Sequence, residues 1–194
     1  EEESNVLNKL SKRLNNLSRG LSVLIGIAEP TPDIKVPRLF NSVAILQKGT
    51  WRIVARKQLL PTYDVFDEKR YFRSAENSSI LNLNYQKKVW KIGITICEDI
   101  WVEQNLQNEK ILGKDPIQSL EKENLDLLIN LSASPFIESK SLLRQRIAEK
   151  AAIRLSCPVV YVNQVGGNDE LIFDGSSFLL NKKGKLQQEL PAFE

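Results

Sequence analysis

Cys97 closes the apolar run Lys91-Ile92-Gly93-Ile94-Thr95-Ile96 and is followed at once by Glu98 and Asp99. A β-branched run that stops at a thiol and turns acidic reads as a buried strand bringing a nucleophile to its carboxyl end. Chemistry in α/β sheets collects at such ends. The chain contains no histidine. A cysteine–histidine pair is therefore excluded, and only Lys, Glu, Asp or Tyr remain to activate Cys97. A free thiol has a pKa of about 8.5 and is mostly protonated at neutral pH, so it needs a nearby cation or base. The competing reading of Cys97 is a small apolar residue inside a sheet. Lys57 is the cation whose position invites the comparison. A lysine at a strand end is usually solvated, but facing Cys97 its ammonium would lower the thiol pKa and stabilise an oxyanion. Residues 130–136 (Asn-Leu-Ser-Ala-Ser-Pro-Phe) add hydroxyls and backbone N–H groups at another strand exit. Cys157, between a helix end and Pro158, reads as structural. Gly166-Gly167 lacks the spacing of a phosphate-cradling loop.

Elements that could position these groups follow from periodicity. Leu7, Leu10, Leu14 and Leu17 recur at helical steps, so residues 4–19 are expected to form a helix capped by Ser4 and followed by Gly20. Leu21 to Ala28 reads as a buried strand. Asn41 to Gln47 and Trp51 to Ala55 read as a hairpin around Lys48-Gly49-Thr50. Residues 58–68 are mixed and non-periodic, as a functional loop would be. A strand is expected from Val89 to Cys97, a short helix capped by Asp115 ahead of Pro116, and a strand from Asp126 to Asn130. Residues 140–156 carry Leu143, Ile147, Ala151 and Leu155 at four-residue steps and predict the best helix of the chain. Val159 to Val162 reads as a strand and 166–169 as a turn. Ser177 to Leu180 and Lys185 to Gln188 read as a closing hairpin. Strands that alternate with helices in places and pair as hairpins in others predict an α/β sandwich with mixed sheets.

The length of 194 residues suits one domain, with 42% hydrophobic and 26% charged residues as in globular proteins. The formal charge of +3 is scattered, with no basic stripe interleaved with aromatics, so nucleic-acid binding is not expected. No stretch approaches the roughly 18 apolar residues of a membrane helix, and Glu1-Glu2-Glu3-Ser4 is not a signal peptide. Two cysteines are too few for a disulfide scaffold, and a cytoplasmic location is expected. The chain has no methionine, even at position 1. It is therefore expected to be a piece of something longer or a processed product.

Four blocks in order, RKQLLPTYDVFDEKRYF, KIGITICEDIW, LINLSASPF and VNQVGGNDELIFDGSSFLLN, resemble the glutamine-hydrolysing, nitrilase-like (carbon-nitrogen hydrolase) domain of glutamine-dependent NAD synthetases. The resemblance runs from about residue 20 to the C-terminus. The lysine and cysteine blocks mark the nitrilase superfamily, and the last block is more specific to NAD synthetases. The resemblance implies a four-layer α-β-β-α sandwich and a glutamate–lysine–cysteine catalytic set. It assigns Cys97 as nucleophile, Lys57 as catalytic lysine and Glu68 as an auxiliary glutamate. Tyr63, Ser134 and Lys140 match positions that hold glutamine. No metal or cofactor is implied for this domain; ATP and Mg belong to an ATP-dependent synthetase domain absent from these 194 residues. The partners implied are L-glutamine, that synthetase domain and, in the parent enzyme, further copies in a homo-oligomer. The family's general-base glutamate lies in an N-terminal Phe-Pro-Glu-Leu-type block that has no match here, so the domain is expected to be N-terminally incomplete. Glu29 has surroundings that match a later strand and is not assigned the role. Two other readings stay open: another nitrilase-superfamily amidase, and a degenerate module that keeps the scaffold without turnover.

Overall fold

The computed structural model describes residues 2–18, 20–31, 36–62, 66–101 and 114–194. Four layers emerge from the way each strand divides its side chains. The first layer is helix α1 (Glu2–Leu17). The second is an antiparallel sheet of β1 (Ser22–Pro30), β2 (Leu39–Gln47) and β3 (Thr50–Arg56), in that order. Ala44 and Leu46 of β2 pack outward with Leu7, Leu10 and Leu14 of α1. Val43 and Ile45, one residue out of phase, point inward, as the period of two demands.

A second, six-stranded sheet forms the third layer. It contains β4 (Ser79–Tyr85), β5 (Lys88–Ile96), β6 (Leu127–Ser132), β7 (Val159–Asn163), β10 (Phe178–Leu180) and β11 (Leu186–Glu189). The spatial order is β11-β10-β7-β6-β5-β4. Ile92, Ile94, Ile96 and Leu81 meet Val43, Ile45 and Ala55 of the first sheet to form the inter-sheet core. The fourth layer holds α3 (Pro116–Leu120) and α4 (Lys140–Leu155). Ile147, Ala148, Ala151 and Ala152 of α4 pack on Leu128, Val159 and Tyr161. The short helix α2 (Glu68–Tyr71) lies between β3 and β4 in the chain, and β8 (Val165–Asn168) with β9 (Leu171–Asp174) forms a separate hairpin.

The topology explains where function collects. β5, β6 and β7 are mutually parallel, so the connections through α3 and α4 must return along the outer face. All three strands then end at the same edge of the sheet. Cys97, Ser132 and Asn163 stand at those three ends.

Several expectations shift in detail. Helix α1 begins at Glu2, which puts Ser4 inside it rather than at its cap. Asp115 does cap α3, accepting from the N–H groups of Ile117 and Gln118. Gly166 and Gly167 are not a turn but strand residues paired with Phe173 and Ile172; with positive φ only at Gly166 of the two, the reversal falls at Asp169 and Glu170. β6 runs on to Ser132, because Leu131 and Ser132 pair with Val162 and Asn163. β4 was not expected at all. Its Asn-rich sequence hides an alternation in which Leu81 is buried, and its reversal into β5 uses Gln86 and Lys87 at positive φ instead of glycine.

Candidate active site

The expected strand stops one residue early. β5 ends at Ile96, and Cys97 opens a 3₁₀ turn, Cys97–Ile100. Cys97 itself has φ +48°, a left-handed conformation rare for a residue with a side chain. Such a bend is sustained only where surrounding contacts over-determine it, and here they do. Asn130, fully buried on the neighbouring β6, donates from Nδ2 to the Cys97 carbonyl at 3.2 Å and to Thr95 Oγ1 at 3.0 Å. Ser132 donates to Asn130 Oδ1 at 2.6 Å and fixes its orientation.

Asp99 ties this turn to the lysine strand. Its Oδ1 accepts from the backbone N–H of Gln58 at 3.0 Å and of Leu59 at 2.8 Å. Its Oδ2 accepts from Ile96 N–H at 3.2 Å. One buried carboxyl thus bridges the segment after Lys57 and the strand before Cys97, and burial pushes its pKa up to about 7 against the pull of those N–H donors.

Lys57 follows β3 directly, and its N–H donates to the Asn41 carbonyl at 2.8 Å. Its side chain is 1% exposed, not solvated. The ammonium donates to Glu68 Oε1 and Glu98 Oε2, both at 2.7 Å. Burial alone would favour the neutral amine, but the negative charge that Cys97 carries when ionised, with those of Glu98 and Glu68, outweighs it and raises the pKa above the ordinary lysine range. Burial raises the Cys97 thiol, and the Glu98 carboxylate to which it hydrogen-bonds raises it further, while Lys57 pulls the other way. Burial also raises Glu68 against the attraction of Lys57. The resting site therefore pairs a protonated thiol with a firmly charged ammonium.

Cys97, Lys57 and Glu68 line one cavity of about 420 Å³, inside the size range of small-molecule sites. Ile96, Leu131, Ser132, Ala133, Val162, Asn163 and Gln164 come from the three parallel strand ends, and Gly26, Asn41, Ser42 and Val43 from the facing sheet. Phe66 also lines the cavity. The cavity sits between the sheets, which is why one sheet supplies the thiol and the other the lysine.

The remaining expected residues are more scattered. Ser134 is buried one residue beyond the cavity-lining Ala133, and its hydroxyl has no hydrogen-bond partner among the described residues. Lys140 is half-buried at the first turn of α4. Tyr63 lies outside the described residues. Glu29 is engaged elsewhere, accepting from Arg56 Nε and Ser42 Oγ, each at 2.7 Å. Cys157 is buried under α4 and unbridged. Glu98, Asn130 and Asn163 received no role from the sequence. Glu98 could have been found as the carboxylate adjacent to the thiol, whereas Asn130 shows itself only through the register that sets it beside Thr95. Among the described residues no group of three or more His, Cys, Asp or Glu could hold a metal ion, and no helix is long and apolar enough to cross a membrane.

A buried lysine clasped by two carboxylates beside a strand-end cysteine is an arrangement in which a thiol can attack an electrophilic carbon and an ammonium can stabilise the oxyanion that forms. Residues 3–194 match the family model described as carbon-nitrogen hydrolase. The chain belongs to the carbon-nitrogen hydrolase family. Among curated members it is 40% identical over 177 residues to the glutamine-dependent NAD(+) synthetase of Synechocystis sp., covering 90% of this chain and 31% of that protein. It is 32% identical over 177 residues to the enzyme of the same name from Aquifex aeolicus, covering 91% and 28%. The chain thus spans about a third of the length of the curated relatives it matches. Among solved structures, a glutamine-dependent NAD+ synthetase from Acinetobacter baumannii superposes with a TM-score of 0.78 at 32% identity, over 98% of this chain and 32% of that one. A carbon-nitrogen hydrolase from Helicobacter pylori, at 19% identity, shares the fold with a TM-score of 0.72 over 98% of this chain and 63% of that one. The four layers are therefore those of the nitrilase fold.

Proposed function

We propose that this carbon-nitrogen hydrolase chain is the glutamine-hydrolysing module of a glutamine-dependent NAD synthetase. The observation that carries the reading is the Lys57 ammonium, held at 2.7 Å by both Glu68 and Glu98 at the wall of the cavity that Cys97 also lines. The relatives named above support the choice of glutamine among amides.

In the proposed reaction the Cys97 sulfur attacks the side-chain amide carbon. The thiol proton passes to a carboxylate, and Glu98, hydrogen-bonded to the thiol, is placed to take it. The Lys57 ammonium donates to the oxyanion; one such donor typically lowers the barrier by about 2.7–4 kcal/mol. The C–N bond then breaks, the relayed proton leaves with the nitrogen as ammonia, and a thioester on Cys97 remains. Water hydrolyses the thioester to glutamate and restores the thiol. The ammonia would serve an ATP-dependent synthetase partner that amidates deamido-NAD; ATP and Mg act there. Tyr63, Ser134 and Lys140 are proposed to hold the glutamine.

Substrate profiling tests the reading. Ammonia release should be faster from glutamine than from asparagine or simple aliphatic amides, by at least about tenfold in kcat/KM, the low end of what a single methylene is worth in a fitted pocket. A clear preference for a non-glutamine amide overturns it.

A further inference from the structure

Behind the cavity wall, away from the Cys97–Lys57 cluster, lies a buried ion pair that the proposed chemistry does not use. Arg144 of α4 is 1% exposed and Asp174 at the end of β9 is 2% exposed. The guanidinium grips the carboxylate with two nitrogens, Nη1 to Oδ1 at 2.9 Å and Nη2 to Oδ2. Nη1 also donates to the Ser134 carbonyl at 3.3 Å. Asn163 links the pair to the same residue. Its Oδ1 accepts from Ser134 N–H at 2.8 Å, and its Nδ2 reaches the Ser134 carbonyl at 3.3 Å and Asp174 Oδ1 at 3.4 Å. Both backbone polar groups of Ser134 are thus fixed by side chains from β7 and α4. Its hydroxyl alone is left buried and unsatisfied.

A buried ion pair is weak evidence for stability, because well-packed apolar replacements are often as stable or more so. What this pair does provide is geometry. It locks the exit of β6, residues 132–134, against the end of β7, and Ser132, Ala133, Asn163 and Gln164 of those two segments line the cavity. The reacting groups stand in the turn after β5, on α2 and just after β3, and neither Arg144 nor Asp174 lines the cavity, so this lock can act on substrate placement through the wall alone. We propose that Arg144 and Asp174, acting through Asn163, are positioning residues that present the Ser132–Ser134 wall to the polar end of an α-amino acid amide and so set substrate affinity. The inference rests on the glutamine reading above.

The test uses the full-length protein with Asp174→Asn, and with the double replacement Arg144→Met/Asp174→Leu, which removes the lock without stranding a buried charge. Three quantities are read: KM and kcat for glutamine, and the rate at which iodoacetamide alkylates Cys97. KM should rise about tenfold or more, as for loss of one or two ordered polar contacts. The alkylation rate should stay within a few-fold of wild type, since the pair contacts Ser134 and Asn163 directly and leaves in place the Ser132–Asn130 bond that holds the Cys97 turn. Unchanged KM in either folded variant overturns the proposal, as does a parallel fall in alkylation that marks general damage. The two failures are distinguishable. A wild-type protein that prefers a different amide defeats the glutamine reading, and the same KM comparison, made with that amide, still decides the role of the lock.

Discussion

Lys57 holds the site together electrostatically. Its ammonium is the positive partner of both Glu68 and Glu98, and all three side chains are largely removed from water. Removing one partner of a buried charge cluster strands the others, at about 3–5 kcal/mol. Lys57→Met should therefore lower the unfolding free energy by about that amount and, in whatever folds, reduce turnover by at least about 10²-fold. Denaturant unfolding and steady-state ammonia release check the two effects separately. Lys57→Arg should not restore activity, because a planar guanidinium cannot reproduce a point charge between two carboxylates. The positive φ of Cys97 belongs to this scale too. It swings the thiol out of the strand direction, and the Asn130 amide keeps it there.

Elements place these residues more tightly than any one contact does. Gly93 leaves β5 room for the leucines that pack on its outer face, from the segment entering β6 and from α3. A Cβ at Gly93 would meet Leu125 Cδ1 at 2.6 Å and Leu128 Cδ1 at 3.1 Å. Gly93→Val should therefore destabilise by about 1–3 kcal/mol through overpacking, measured as a lower denaturant midpoint with an unchanged slope. Much at this scale was legible in the sequence. The Leu repeat of α1, the four-residue steps of α4, the Asp115-Pro116 start of α3 and the apolar run of β5 each carry a local signal that tertiary packing reinforces. What could not be read was set by partners distant in sequence. β4 draws its strand character from pairing with β5 rather than from its own composition. The two glycines of β8 look like a turn until β9 pairs with them. Glu98 and Asp99 appeared as a generic acidic pair. Only the facing sheet shows that one clasps Lys57 and the other the backbone beyond it.

Across the whole molecule, a cavity between two sheets forces ionisable groups into the interior, and the pH dependence of stability should record it. Asp99 and Glu68 have carboxyl pKa values raised by burial in the folded chain. A raised group favours the fold fully below its unfolded pKa, and that contribution is lost as pH rises through the folded value. For Asp99 the window runs from about 4 in the unfolded chain to about 7. Glu29 and Asp126 have lowered values: burial is outweighed at Glu29 by Arg56 and Ser42, and hydrogen bonding to Lys88 lowers Asp126. Their stabilisation is present above the ordinary carboxylate range and fades only at acid pH. In the upper part of the Asp99 window, above the ordinary carboxylate range and up to about pH 7, this contribution is progressively lost, so stability should decline with rising pH. A urea midpoint that rises over that interval would contradict the burial of Asp99 and Glu68. The same interior governs the chemistry, because burial raises the Cys97 thiol while the Lys57 ammonium beside it pulls the other way. The most direct measurement is therefore acid quenching during glutamine turnover, followed by peptide mass analysis. A γ-glutamyl thioester should appear on Cys97, be absent from Cys157 and be lost in Lys57→Met; turnover of glutamine with Cys97 unmodified at every quench time, or undiminished in Cys97→Ala, would contradict the proposed reaction.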